Sequence, residues 1–324
     1  PLFTPPPTPH NNPRPWSSAA SDVYKRQAMN NVNASMIIVL TLIYGVAASG
    51  WAAERVPVFV SIAPQSYFVQ QIGKELVDVH VLVEPGADPH TYEPKPQQMV
   101  ALSKAVLYFA IGIEFETAKL AKITAVNPRM HVVRTDHGVM KLPMDAHGHH
   151  NMKDKREEDH HQGSLDPHIW LSPPLVMLQA RSILTALQAV DPAHRSTYEA
   201  NYRAFILDVV DLDAQLRAIF DGLKGSPFMV FHPSWGTFAH TYGLNQVPIE
   251  IEGKSPKPAQ LKELIERARS NRIKIIFVQP QFSSKSAEQI SKAIGGRVAV
   301  VDPLAQDWAN NLRRVAEEFK NAFK

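Results

Sequence analysis

The sequence predicts an α/β protein of two lobes, each a mostly parallel sheet flanked by helices, joined by one long helix. Three features carry that prediction. Strand-like and helix-like segments alternate from Val56 onward, and a second alternating series begins at Pro227. Between the two lies a segment, residues 193–221, without Gly or Pro, whose apolar positions recur every three or four residues.

The first series reads VPVFVSIA, SYFVQQIGKEL, VDVHVLV, PKPQQMVALSKA and VLYFAIG. Strands separated by helices of about ten residues imply parallel pairing, because a parallel strand can be reached only by a crossover. The joining segment opens at Asp191-Pro192, an expected N-cap and first-turn proline. Tyr198, Tyr202, Phe205, Val209, Leu212, Leu216, Ile219 and Leu223 then fall on one face. A helix this long is a stiff rod, so large hinge bending between lobes is not expected. The second series runs PFMVF, PSWGTFAHTYG, QVPIEI, PAQLKELIERARS, IKIIFVQ, KSAEQISKAIG and VAVVDPL, then a terminal helix through Val315 and Phe319. The expected division is a first lobe over 54–190, a linking helix over 191–223 and a second lobe over 224–324.

Ahead of the lobes, residues 36–48 (MIIVLTLIYGVAA) form an apolar run followed by small residues and then Glu54 and Arg55. This is the pattern of a signal peptide over 29–53; the run is shorter than the roughly 20 residues a membrane span needs. Residues 1–28 are Pro-rich, lack apolar periodicity and end in a string resembling translated sequencing-adapter DNA, so they are expected to be foreign to the natural protein.

Composition narrows the function classes. The 324 residues are 44% hydrophobic and 20% charged, a globular profile, and the net charge of +3 is too small and too dispersed for a nucleic-acid partner. With no cysteine, disulfides, thiolate zinc sites, cysteine nucleophiles, iron–sulfur clusters and a lipobox are all excluded. An exported form is expected to be free in the periplasm and not lipid-anchored.

Four points place a metal-binding side chain in a loop next to a predicted element. His90 lies in PGADPHTYEPKP, His168 in DPHIWLSPP, His232 before Pro233 at the end of PFMVF, and Asp302 before Pro303 at the end of VAVVD. Three imidazoles and a carboxylate suit tetrahedral zinc, whereas calcium and magnesium want oxygen shells and manganese would suit the set better with a carboxylate replacing one histidine. Asp302 could equally cap the segment starting near Leu304. His80, His131, His137, His194 and His240 have no such setting and are expected to be structural or solvated. Because imidazole must be neutral to bind metal, capture is expected to fail below about pH 6.

The tract 138–165 is polar and without periodicity, and carries His147, His149, His150, His160 and His161 among Lys, Asp and Glu. It is expected to be a mobile loop that binds metal weakly, suited to collecting zinc and passing it on. A His₃ zinc hydrolase is the competing class, yet no HExxH or comparable base-bearing motif is present, so no enzyme is expected.

The stretches VSIAPQSYFVQQIG, PGADPHTYEPKPQQM, DPHIWLSP, FMVFHPSWGTFAHTYGL, IEGKSPKPAQL, FVQPQFSSKSAEQI and VDPLAQDW resemble the metal-specific solute-binding proteins of ABC importers, in particular their zinc-uptake branch. The resemblance implies two lobes of four strands each, a backbone helix between them and zinc at the cleft. It puts ligands at His90, His168 and His232, with Asp302 at a fourth position that water or another carboxylate also fills in that branch. His232, where manganese-type members have Glu, implies zinc; a manganese carrier is the nearest alternative, and an adhesin role occurs in the wider family. The implied partners are an inner-membrane permease and its ATPase, with the protein a monomer.

Overall fold

The computed structural model describes residues 55–144, 165–251 and 254–323, together with residue 4. The expected leader 1–28 (residue 4 apart), the expected signal segment 29–53 and the histidines at 147, 149, 150, 160 and 161 lie outside the described residues. Among the described residues no helix is long and apolar enough to cross a membrane.

The chain from Arg55 builds β1 (Val56–Val60), α1 (Ala63–Gly73), β2 (Val77–Val81), α2 (Pro96–Leu102), β3 (Leu107–Ala110), α3 (Glu114–Val126) and β4 (His131–Arg134). Two helices follow, α4 (Pro173–Val190) and α5 (Arg195–Ile219). The rest is β5 (Pro227–Val230), α6 (Gly236–Tyr242), β6 (Asn245–Pro248), α7 (Pro258–Ser270), β7 (Ile275–Val278), α8 (Lys285–Ile294), β8 (Arg297–Val300) and α9 (Trp308–Ala322). The strands form two four-stranded sheets ordered β2-β1-β3-β4 and β6-β5-β7-β8. Every pair is parallel, with β1 Val60 beside β2 Val81 and β3 Phe109, and β7 Val278 beside β8 Val300.

Helices cover both faces of such a sheet, so its central strands must be apolar throughout. β3 (LYFA) and β7 (IIFV) are buried at every position, while the edge strand β2 alternates and the edge strand β8 is exposed at both ends. Both sheets reverse their winding beside the first strand, between β1 and β3 and between β5 and β7. A crevice at the carboxyl ends of the strands follows from that topology.

The sequence reading passed over α3 and β4. β4, His131–Arg134, is four residues with both ends exposed, too short for a period-two signal to register. The long helix keeps its predicted stripe, with Tyr198, Phe205, Val209, Leu212 and Leu216 buried. Its start is different from the expectation: Pro192–His194 is a 3₁₀ turn, and Asp191 does not cap it. Asp191 Oδ2 instead accepts from Tyr198 Oη at 2.7 Å and lies 2.7 Å from His194 Nδ1.

One continuous buried cluster takes in Phe59 and Phe109 of the first sheet, Leu212 and Leu216 of α5, Phe228 and Phe277 of the second sheet, and Phe319 of α9. A smaller one, with Met229, Leu264 and Ile290, lies under α7 and α8. The terminal helix reaches back across the molecule, where Trp308 meets Phe68 edge-on with ring centroids 5.0 Å apart. Two buried indoles stitch the same seam: Trp308 Nε1 donates to Trp170 O and Trp170 Nε1 donates to Pro303 O, each at 2.7 Å. Residues 55–324 accordingly form one compact unit.

Candidate metal centre

Two of the histidine sites, His90 and His232, lie in loops after strands, where backbone no longer paired in a ladder can turn side chains inward. His232 follows β5; its N–H donates to Gln279 Oε1 at 3.2 Å and its carbonyl accepts from Gln279 Nε2 at 2.6 Å, so the loop after β7 clamps it. His90 lies in the long connection from β2 to α2, and His168 just before the 3₁₀ turn Ile169–Leu171.

His90 and His168 share the tripeptide Asp-Pro-His, and in both the aspartate Oδ1 accepts the histidine N–H, at 2.9 Å from Asp88 and 3.0 Å from Asp166. Proline fixes the middle φ and the aspartate closes the turn two residues on. Asp302-Pro303-Leu304 repeats the device, with Leu304 N donating to Asp302 Oδ1 at 2.9 Å. Asp302 therefore occupies the turn-closing position of the motif, and its Oδ1 also accepts from Gln281 Nε2 at 3.0 Å.

Ligand atoms of His90, His168 and His232 all lie within 4.8 Å of one another. Their ring centroids are 5.1 Å apart for His90 and His232, 5.5 Å for His168 and His232, and 6.4 Å for His90 and His168. Three of the four expected ligands are thus brought together; Asp302 is outside the set. His80 leans on Asp78 and stacks on Phe59, and His194 pairs with Asp191, so neither joins it.

Each histidine of the set faces one carboxylate through Nδ1. His168 Nδ1 is 2.7 Å from Asp166 Oδ1, His232 Nδ1 is 2.7 Å from Glu250 Oε1, and His90 Nδ1 is 3.3 Å from Glu114 Oε2. A carboxylate on Nδ1 fixes the tautomer that leaves Nε2 as the lone-pair donor, the arrangement found behind zinc-binding imidazoles. His232 Nε2 is buried with no hydrogen-bond partner, which an ion would supply. Phe282 stacks on the His232 ring at 4.7 Å and Trp170 lies 5.1 Å from the His168 ring, so both are held by apolar walls.

Burial pushes the Asp166 carboxyl up, but bonds from His168 and Thr237 outweigh it and hold the group below the usual carboxylate range. It is an anion at neutral pH, which fits a partner to a metal-bound imidazole. None of these three carboxylates was singled out from sequence. The repeated Asp-Pro-His was the available signal for Asp166; Glu250, after β6, and Glu114, opening α3, are distant in sequence from the histidines they meet.

The chain matches the protein family described as "ZnuA: Zinc-uptake complex component A periplasmic" over residues 58–322. It is similar to the "High-affinity zinc uptake system protein ZnuA" of Bacillus subtilis, 28% identical over 254 residues, 78% of this chain and 79% of that protein. It is 28% identical to the "Zinc-binding lipoprotein AdcA" of Streptococcus pneumoniae over 78% of this chain and only 51% of that longer protein. A solved structure titled "Crystal structure of ZnuA" superposes with a TM-score of 0.77 at 44% identity, covering 84% of this chain and 100% of the other. A second, "Crystal structure of 138-173 ZnuA deletion mutant plus zinc bound", gives 0.76 at 43% identity, covering 83% and 98%.

Proposed function

This chain belongs to the family of periplasmic zinc-uptake A components, and from that premise we propose that it captures Zn²⁺ outside the inner membrane and hands it to an ABC permease. The observation that carries the reading is the convergence of three imidazoles, each with a carboxylate on Nδ1 and one with a buried, unpartnered Nε2. Three neutral nitrogens, with water completing a tetrahedron, make a borderline-soft shell suited to zinc. The proposed ligands are His90, His168 and His232. Asp302 would have to give up its bonds to Leu304 and Gln281 to join them.

Holding, not hydrolysis, is the proposed task. The carboxylates beside the histidines are engaged with ring nitrogens, which leaves them orienting ligands instead of activating water. Export, an inner-membrane permease with its ATPase, and a monomeric carrier complete the reading, with the histidine-rich tract 138–165 as an accessory collector. It is supported by the family membership and by relatives named for zinc uptake.

The test strips the protein with chelator and titrates zinc and manganese against a competing indicator. We expect one tight zinc site, lost in His168→Ala and His232→Ala and retained when residues 147–161 are deleted. Point variants that bind normally while the deletion loses zinc would overturn the assignment of the site.

A further inference from the structure

The three arms of the centre differ in how firmly they are built. The side chains of His168 and His232 are 4% and 9% exposed, and their carboxylate partners Asp166 and Glu250 are 3% and 7% exposed. His90 is 24% exposed, and Glu114, its partner at 3.3 Å, is 77% exposed. Backbone anchorage differs in the same sense. His232 is gripped on both N–H and C=O by Gln279 from the loop after β7, and Asp166 ties the His168 turn to Thr237 of α6 at 2.9 Å and 2.7 Å. Around His90 the bonds from Ala87 N to Glu84 O, His90 N to Asp88 Oδ1 and Thr91 Oγ1 to Asp88 Oδ2 all stay within its own loop.

Glu114 itself stands on firm ground. The buried Glu116 carboxylate accepts from Ile111 N at 2.9 Å, Gly112 N at 2.7 Å and the Ser61 hydroxyl, and Lys141 Nζ donates to Ile111 O and Gly112 O at 3.3 Å and 3.1 Å. These bonds fix the turn leading into α3. Glu114 is thus presented on a rigid base with its carboxylate in water, where a contact to an imidazole is weak until an ion locks the ring in place.

Resting on the reading that the three histidines hold the ion, we infer that Glu114 is the positioning residue for His90 and that the His90 arm closes last around zinc and opens first. His168 and His232 form a preformed two-nitrogen seat whose rings lose no freedom on binding. His90 must surrender ring rotation, and Glu114 narrows what it surrenders. The ion meets the seat before His90 closes, so arrival is insensitive to Glu114. Departure requires the His90 arm to open, so it is sensitive.

The experiment uses the full chain loaded with zinc below one equivalent, with association and chelator-driven dissociation followed by stopped flow. For Glu114→Gln, dissociation is expected to speed up about tenfold with association unchanged within about twofold. His90→Ala is expected to bind one zinc with faster dissociation still. An unchanged apo melting temperature in Glu114→Gln separates positioning from folding. Unchanged dissociation in Glu114→Gln, a fall in its association rate, or complete loss of zinc in His90→Ala would each overturn the inference while leaving the site assignment intact. Normal binding by His168→Ala and His232→Ala would instead remove the site assignment on which it rests.

Discussion

Asp166 and His168 stand two residues apart and are bonded twice, through the histidine N–H at 3.0 Å and the ring Nδ1 at 2.7 Å, both to the same carboxylate oxygen. The other oxygen accepts from Thr237 N and Oγ1. One buried anion therefore orients an imidazole and anchors the start of α6 together. Asp166→Asn is expected to weaken zinc binding about 10–100-fold and to lower apo stability by about 1–3 kcal/mol. Competition titration and urea unfolding measure the two effects separately, and a stability loss with unchanged affinity would show that the ring does not need the charge.

Asp302 closes its turn through Leu304 N and meets Gln281. Asp302→Ala is expected to leave zinc affinity within about threefold while costing about 1 kcal/mol of stability for the lost turn bonds. A drop in affinity of tenfold or more by the same titration would make Asp302 a ligand.

Gly112 has φ +78°, and a Cβ there would stand 2.1 Å from Asp136 Oδ2 and 2.2 Å from Lys141 Nζ. Gly112→Ala combines a left-handed backbone with a direct clash against an ion pair, and is expected to destabilise by about 2–4 kcal/mol. Because the same turn leads into Glu114, zinc dissociation should quicken too. Chemical denaturation and chelator-driven release check both.

Asp136 supplies a pH signature. Burial pushes its carboxyl up, but bonds from Arg134 (2.8 Å) and Lys141 (2.7 Å) prevail and draw it down to about 2. A folded-state pKa below the unfolded value of about 3.9 contributes stability that is complete above pH 4 and is lost as pH falls toward 2. Half-exposed Arg134 is screened by water, so the contribution is about 1–2 kcal/mol. Asp136→Asn is expected to be less stable near pH 7 and to lose less of its remaining stability between pH 4 and 2, as read by unfolding midpoints across that window.

The alternation of strands and helices, the apolar stripe of the long helix and three histidines set in proline-fixed turns are legible in the order of residues alone. These are properties of local periodicity and of single backbone positions, and they survive in any fold that uses them. Tyr198, Phe205, Val209, Leu212 and Leu216 are buried where a period of 3.6 puts them. β4 escaped because it offers only His131–Arg134 to establish a period, and Asp191 left its expected capping role because Tyr198, seven residues on, presented a hydroxyl to the same carboxylate.

Which side chains meet is set by how the chain packs. His232 and Glu250 are 18 positions apart and touch because β5 and β6 are neighbours. His90 reaches Glu114 because two loops leave the same end of one sheet. Asp166 and Asp302 both open an Asp-Pro turn, yet the first contacts the His168 ring and the second a leucine amide and a glutamine. An Asp-Pro turn specifies its own closure and nothing about what stands across the cleft; the packing of Trp170 against Pro303 and Trp308, which unites the two sheets, fixes that.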